Sequence, residues 1–308
     1  MDILVGSTGF VGGNLRLSHS FSQEFHSTDI AQAFGLRPEL CVYAGVRSEK
    51  YLANRNPEQD YARMEEALRN LCTIAPKKLV LISTVDVLRE TEGMDETAET
   101  GAEGLQPYGA NRLWLEQRCR EEFPDCTVVR LPGLFGQGLK KNLLYDLLEV
   151  IPFMLTPQLF ERLSAQSPVL QQHYSQQENG FYRCTCTQPE QREALRDVFR
   201  CIGFTAASFT DSRSVFQFYD LSLLWQHIQR AVENQLPLLH LATEPVSASQ
   251  AALALTGDPF VNHLDKPPLH YDFRTRYAAL FGGGNGYLQT AVQVLDALCR
   301  FGAQYRRR

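Results

Sequence analysis

No apolar run approaches the roughly 18 residues that a bilayer-spanning helix requires, so no membrane span is expected. No basic stretch precedes Met1-Asp2-Ile3-Leu4-Val5-Gly6 and no small-residue cleavage site follows it, so no signal peptide is expected and the location reads as cytoplasmic. An excess of positive charge is also missing: 30 Lys and Arg stand against 35 Asp and Glu, a net charge of −5, which argues against a nucleic-acid or anionic-membrane partner. The one basic cluster, Arg306-Arg307-Arg308, reads as a solvated end. Of the eight cysteines only Cys184-Thr-Cys186 is close-spaced, with no second pair and no histidines at zinc-ligand spacing, so no metal is expected. The thiols read as reduced and mostly as small buried residues. Repeats and low-complexity tracts are absent.

What is present is alternation. Ile3-Leu4-Val5, Leu40 to Gly45, Leu79 to Thr84 and Thr127 to Leu131 are apolar runs of strand length. Segments with helical spacing lie between them, notably Gln59 to Ile74 and Tyr108 to Glu122. Glu24 to Ser27 could be a further short strand. Strand alternating with helix predicts an α/β fold with a Rossmann-like, doubly wound parallel sheet over residues 1–135. The 308 residues exceed one such unit, and residues 136–308 predict a smaller, irregular, mostly helical substrate-binding part. Segments around 216–245 are expected to return to the first domain.

Gly6-Ser7-Thr8-Gly9-Phe10-Val11-Gly12 leaves the first strand and opens a helix. This context turns a common glycine triplet into a candidate site for a dinucleotide pyrophosphate. The chemistry needs a tight turn, backbone amides open to phosphate, and close packing of helix on strand. An acidic residue is expected after the second strand to bond the adenosine ribose. Asp29 is the candidate, but Ser27-Thr28 could take that place and Asp29 could equally cap a helix at Ile30. NAD and NADP both stay open.

These motifs, with Val42-Tyr43-Ala44-Gly45, Ile82-Ser83-Thr84, Pro107-Tyr108 through Arg112 and Arg130-Leu-Pro-Gly-Leu-Phe-Gly136, resemble the extended short-chain dehydrogenase/reductase family, in its sugar-nucleotide epimerase, dehydratase and reductase branch. The resemblance covers residues 1 to about 140 in the family's order. It implies a nicotinamide cofactor bound by Gly6, Thr8, Gly9, Phe10, Val11, Gly12, Ala44, Gly45, Pro132, Tyr108 and Arg112. It also implies a nucleotide-sugar substrate and a homodimer through two helices of the sheet layer. Thr84 would be the hydroxyl partner, and Tyr108 the acid/base that moves a proton while hydride passes to the nicotinamide.

Two departures stand out. The family's lysine, four residues after the tyrosine, is Arg112 here. Position i+4 shares a helix face with Tyr108, so the charge can still reach the tyrosine and the cofactor ribose. In place of the acid pair that some dehydratases carry after the threonine, only Asp86 is available. The reading is therefore an NAD(P)-dependent oxidoreductase or epimerase, with a catalytically weak or inactive dinucleotide-binding regulatory or structural protein as the alternative. The stretch before Val42 is also short for the family, which implies a trimmed sheet. On the substrate side, Arg47 and Asn142 are singled out because each follows shortly after a sheet strand, on a segment that the resemblance puts next to substrate; Asn54, Lys140, Lys141, Arg274 and Arg276 fit less specifically.

Overall fold

Along the early strands the apolar side chains alternate between two buried faces, which is why the runs read as continuous. Ile3, Val5, Cys41, Tyr43, Leu79, Leu81 and Val128 join one core cluster with Met64, Leu71, Ile74, Leu115 and Cys119. Leu4, Val42, Val80, Val129 and Leu239 join the other with Leu15, Leu224, Trp225 and Ile228. Each Leu, Ile or Val so buried contributes roughly 1.5–3 kcal/mol.

A computed structural model describes residues 1–306; Arg307 and Arg308 of the basic tail lie outside the described residues. The chain divides into two units, residues 1–139, 215–246 and 270–297 in the first and 140–214, 247–269 and the remainder in the second. The first unit opens with β1 (Asp2–Val5), α1 (Phe10–Ser18), β2 (Gln23–Phe25), β3 (Leu40–Tyr43), α2 (Lys50–Arg55) and α3 (Pro57–Ile74). It continues with β4 (Lys78–Thr84), α4 (Pro107–Glu122), β5 (Cys126–Leu131) and β6 (Gly133–Phe135). The second unit contributes α5 (Leu143–Glu149), β7 (Met154–Leu155), α6 (Pro157–Gln166), β8 (Tyr174–Gln176), β9 (Tyr182–Cys184) and α7 (Pro189–Cys201). The chain then forms β10 (Val215–Phe216), β11 (Phe218–Asp220), α8 (Leu224–Glu233), β12 (Leu238–His240) and β13 (Val246–Ser247). It ends with α9 (Ala248–Thr256) and α10 (Ala291–Tyr305).

The main sheet has six parallel strands in the order β2-β1-β3-β4-β5-β12. From β1 the chain steps outward to β2 and then crosses back to β3, so the topological switch point lies between β1 and β3. That crossing carries only one 3-10 turn, Ile30–Ala33, where a doubly wound fold usually places a helix. The sheet therefore ends at the three-residue edge strand β2.

In the second unit β7, β9 and β8 form a small antiparallel sheet among the helices. The mostly helical expectation missed it, because strands of two or three residues are too short to display a period of two. The same unit is tied by Glu149, whose carboxylate accepts from Arg192, Arg196 and, at the end of α10, the Tyr305 hydroxyl. Among the described residues no helix is long and apolar enough to cross a membrane.

Candidate active site

The glycine turn leaves β1 at the switch point, and each glycine answers a different demand. Gly6 has φ +91°, and a Cβ there would stand 2.5 Å from the Ala44 carbonyl carbon, so the turn presses directly on the end of β3. The amides of Gly6 and Ser7 both donate to Phe25 O at the end of β2, at 2.7 and 3.1 Å. Gly12 is buried, and a Cβ there would lie 2.1 Å from Gly6 O, closer than any atom pair tolerates. Gly9 is exposed, and its added Cβ would meet only Gly6 O, at 3.2 Å. It is the N-cap of α1, and no side chain caps that helix end. The first amides of α1 have no intrahelical partner, and their end of the helix is electropositive. Thr8, Phe10 and Val11 flank this open end, with Ala44 and Gly45 across from it at the end of β3.

Asn14, which belongs to no sequence motif, fixes this arrangement. It is buried; Nδ2 donates to Phe10 O and Gln137 O, and Oδ1 accepts from the Gln137 amide at 2.9 Å. The start of α1 is thereby held to the segment that follows β6. The Asp29 carboxylate is engaged locally: it accepts from the His26 amide at 2.7 Å and lies 3.0 Å from His26 Nε2. Asp29 stands at the N-cap position of the short turn without making a side-chain capping bond.

Thr84 ends β4 beside Leu131, its register partner, and Pro132 follows immediately. Thr84 Oγ1 accepts from the Asp86 amide at 3.2 Å. The Asp86 carboxylate is ion-paired with Lys50 on α2, at 2.6 Å. Asn54, one turn further along α2, accepts from the Tyr108 amide at 2.9 Å. Gly109 packs so closely that a Cβ would lie 2.1 Å from Asp86 O. Thr84, Asp86, Tyr108, Lys50 and Asn54 are thus brought together at the amino end of α4.

Arg112 stands over Tyr108, as the i+4 spacing requires, with its guanidinium carbon 3.8 Å from the ring centroid. Its donors are committed elsewhere. Asp60 on α3 takes both terminal nitrogens in a buried pair, and Arg47 O and Tyr108 O accept from the same nitrogens at 2.7 and 3.2 Å. Asn111 also donates to Asp60, at 2.9 Å. Burial pushes the Tyr108 hydroxyl above its ordinary value of 10, and the Asp86 and Asp60 carboxylates push the same way; the Arg112 guanidinium opposes them without prevailing.

The next residue on this helix face is Glu116, so positions 108, 112 and 116 form a buried polar stripe on α4. Glu116 receives Arg130 from β5 at 2.6 Å and the Ser83 hydroxyl from β4 at 2.5 Å. Arg130 Nη1 donates to His240 Nε2 at 3.1 Å, while His240 Nδ1 donates to Arg274 O at 3.0 Å. A guanidinium can only donate and a carbonyl only accept, so this ring is the neutral Nδ1–H tautomer. Burial, aided by Arg130, lowers the His240 pKa to about 3. Asp60, Lys50, Glu116 and His240 carried no local signal in the sequence; only Glu116, four residues after Arg112, could have been found by spacing.

Of the two substrate-side residues, Arg47 is exposed and its carbonyl serves Arg112. Asn142 belongs to the second unit, where its Oδ1 caps α5 through the amides of Leu144 and Tyr145. Arg274 is held by Asp272 and stacks on Tyr287, and Arg276 is exposed. Among the described residues no group of three His, Cys, Asp or Glu side chains could hold a metal ion.

No family model and no curated protein matches the chain. Solved structures match along its whole length. A dTDP-4-dehydrorhamnose reductase from Bacillus anthracis, in complex with NADP, is 17% identical with a TM-score of 0.61, covering 98% of this chain and 97% of its own. The corresponding reductase from Yersinia enterocolitica has a TM-score of 0.64 at 11% identity and 99% coverage of both chains. A UDP-glucose 4-epimerase from Thermotoga maritima, with UDP-glucose, has a TM-score of 0.62 at 14% identity, covering 100% of this chain and 99% of its own. The chain has the α/β fold shared by these reductases and this epimerase.

Proposed function

We propose that this protein is an NAD(P)-dependent oxidoreductase or epimerase of the extended short-chain dehydrogenase type, acting on a nucleotide-activated sugar. The observation that carries the reading is the uncapped, exposed amino end of α1 at the switch point, where glycine leaves the backbone open to an anion. The residues present fit a dinucleotide: the amides of Thr8, Phe10, Val11 and Gly12 would hold its pyrophosphate, with Ala44, Gly45 and Pro132 along the strand ends. When bound, the nicotinamide supplies or accepts a hydride. Thr84 would hold the substrate hydroxyl, and Tyr108 would give or take its proton. Asp86, held by Lys50, lies close enough to take part.

Arg47 and Asn142 are proposed to contact the nucleotide diphosphate. The name of the Thermotoga maritima neighbour, an epimerase with UDP-glucose, supports that substrate class. The same reading gives a cytoplasmic homodimer; all eight cysteines carry free thiols, and light scattering would report the dimer.

Titration with NADH and NADPH, followed by ligand fluorescence, tests the site in wild type and in Gly9→Asp. Binding that the aspartate abolishes supports the reading and reveals the preferred dinucleotide. Absence of binding by the wild type overturns it. A second reading, a dinucleotide-binding protein with little turnover, is favoured by the commitment of Arg112 to Asp60. Turnover of nucleotide sugars by the wild type, lost in Tyr108→Phe, would exclude it.

A further inference from the structure

We infer that Asp60 is a positioning residue: by taking up the charge of Arg112, it helps the burial of Tyr108 to keep that side chain in its neutral hydroxyl form. The inference rests on the function proposed above for its catalytic meaning, and on geometry for its physical content.

The charges that face Tyr108 come from each element packed against it. Arg112 lies on its own helix, Asp60 on α3, Asp86 after β4, and Lys50 on α2 behind Asp86. They form two ion pairs, and the sum is zero. An arginine whose charge stood free would leave a surplus of one positive charge beside the phenol, which is the condition that stabilises a phenolate. Here Asp60 and Arg112 are both about 95% buried and bound through two nitrogens and two oxygens, so their mutual neutralisation is scarcely screened by water. A phenolate at Tyr108 would be an additional, uncompensated charge in a buried place.

The consequence is a pH dependence. When an alcohol is oxidised, its O–H proton passes to the Tyr108 oxygen, and its C–H hydrogen leaves with the bonding pair to an oxidised pyridine dinucleotide. The proton acceptor must be the phenolate, whose population rises about tenfold per pH unit below the tyrosine's own pKa. Oxidation should therefore climb through the alkaline range without the neutral plateau that a free cation would give.

The test is tyrosine ionisation, followed by NMR with ring-labelled tyrosine and assigned through Tyr108→Phe, which needs no bound dinucleotide. In the wild type Tyr108 is expected to stay a hydroxyl through about pH 9; in Asp60→Asn its titration should move down by about one unit. Asp60→Asn leaves a buried guanidinium unpaired and is at risk of misfolding, so the paired variant Asp60→Asn with Arg112→Gln is included. Removing both charges together should bring no downward shift of Tyr108. A Tyr108 that ionises near neutrality, an unchanged value in a folded Asp60→Asn, or a downward shift in the paired variant would each overturn the inference. NADPH titration of the same samples separates the two ideas. Lost binding with the expected ionisation removes the proposed function alone, whereas intact binding with a neutral-range phenolate removes the role of Asp60.

Discussion

Placing alanine at Gly12 and, separately, at Gly9 perturbs the turn in two distinguishable ways. At Gly12 the new methyl would overlap Gly6 O at 2.1 Å and approach Gly6 C at 2.8 Å, both backbone atoms at the start of the turn. Neither can swing aside, so α1 must lift from β1 and disturb the packing of Leu15 against Leu4 in the same core cluster. Overpacking of this kind costs typically about 1–3 kcal/mol, and backbone opposition puts Gly12→Ala at the upper end. With a urea m-value of about 2–3 kcal/mol/M, the unfolding midpoint should fall by roughly 1 M. At Gly9 the backbone is extended, with φ −75° and ψ 170°, which alanine adopts without strain. Its only close neighbour would be Gly6 O at 3.2 Å, a crowding relieved by a few tenths of an ångström. Gly9→Ala should keep its stability within about 1 kcal/mol of the wild type. It should nevertheless lose roughly tenfold or more in NADPH affinity, about 1.4 kcal/mol, because the methyl occupies the surface offered to phosphate. Urea melts and fluorescence titrations on both variants decide the matter. A Gly12→Ala protein as stable as the wild type would refute the packing argument, and a Gly9→Ala protein that binds NADPH normally would refute the phosphate site.

Stability should also fall with acidification between pH 6.5 and 4. Burial lowers the pKa of His227 to about 4 and of His240 to about 3, whereas both titrate near 6.5 when unfolded, so the unfolded chain binds two more protons in that window. The loss approaches about 2.7 kcal/mol per pH unit well below 6.5 and vanishes above it; equal urea midpoints at pH 7 and pH 5 would count against this. Glu116→Gln strands Arg130 in the core and should cost about 3–5 kcal/mol, while Glu116→Leu with Arg130→Met should cost much less, as thermal melts would report. Tyr108→Phe should lower kcat by about 10²–10⁴; an active phenylalanine variant would move the proton-handling role to Asp86.

Much of the first unit was legible locally. The apolar runs of β1, β3, β4 and β5, the helical spacing of α3 and α4, and the glycine turn all act over a few residues, where periodicity and backbone sterics leave few options. The stacking of Arg112 on Tyr108 follows from four-residue spacing on one helix. The fate of that arginine does not. Asp60 lies 52 positions earlier, on another helix, and its pairing with Arg112 exists only because α3 and α4 pack side by side on one face of the sheet. The link from Glu116 through Arg130 to His240 spans 110 positions in its last step and needs β4, β5 and β12 to be neighbours. Residues 270–297 rejoin the first unit without a motif of their own, through bonds such as that from His240 to Arg274 O. Local chemistry thus announces a glycine turn at a helix start and a tyrosine on a helix. Whether a positive charge beside that tyrosine is free or already neutralised depends on which distant carboxylate the packed fold delivers, because a buried charge takes the nearest partner in space, whatever its distance along the chain.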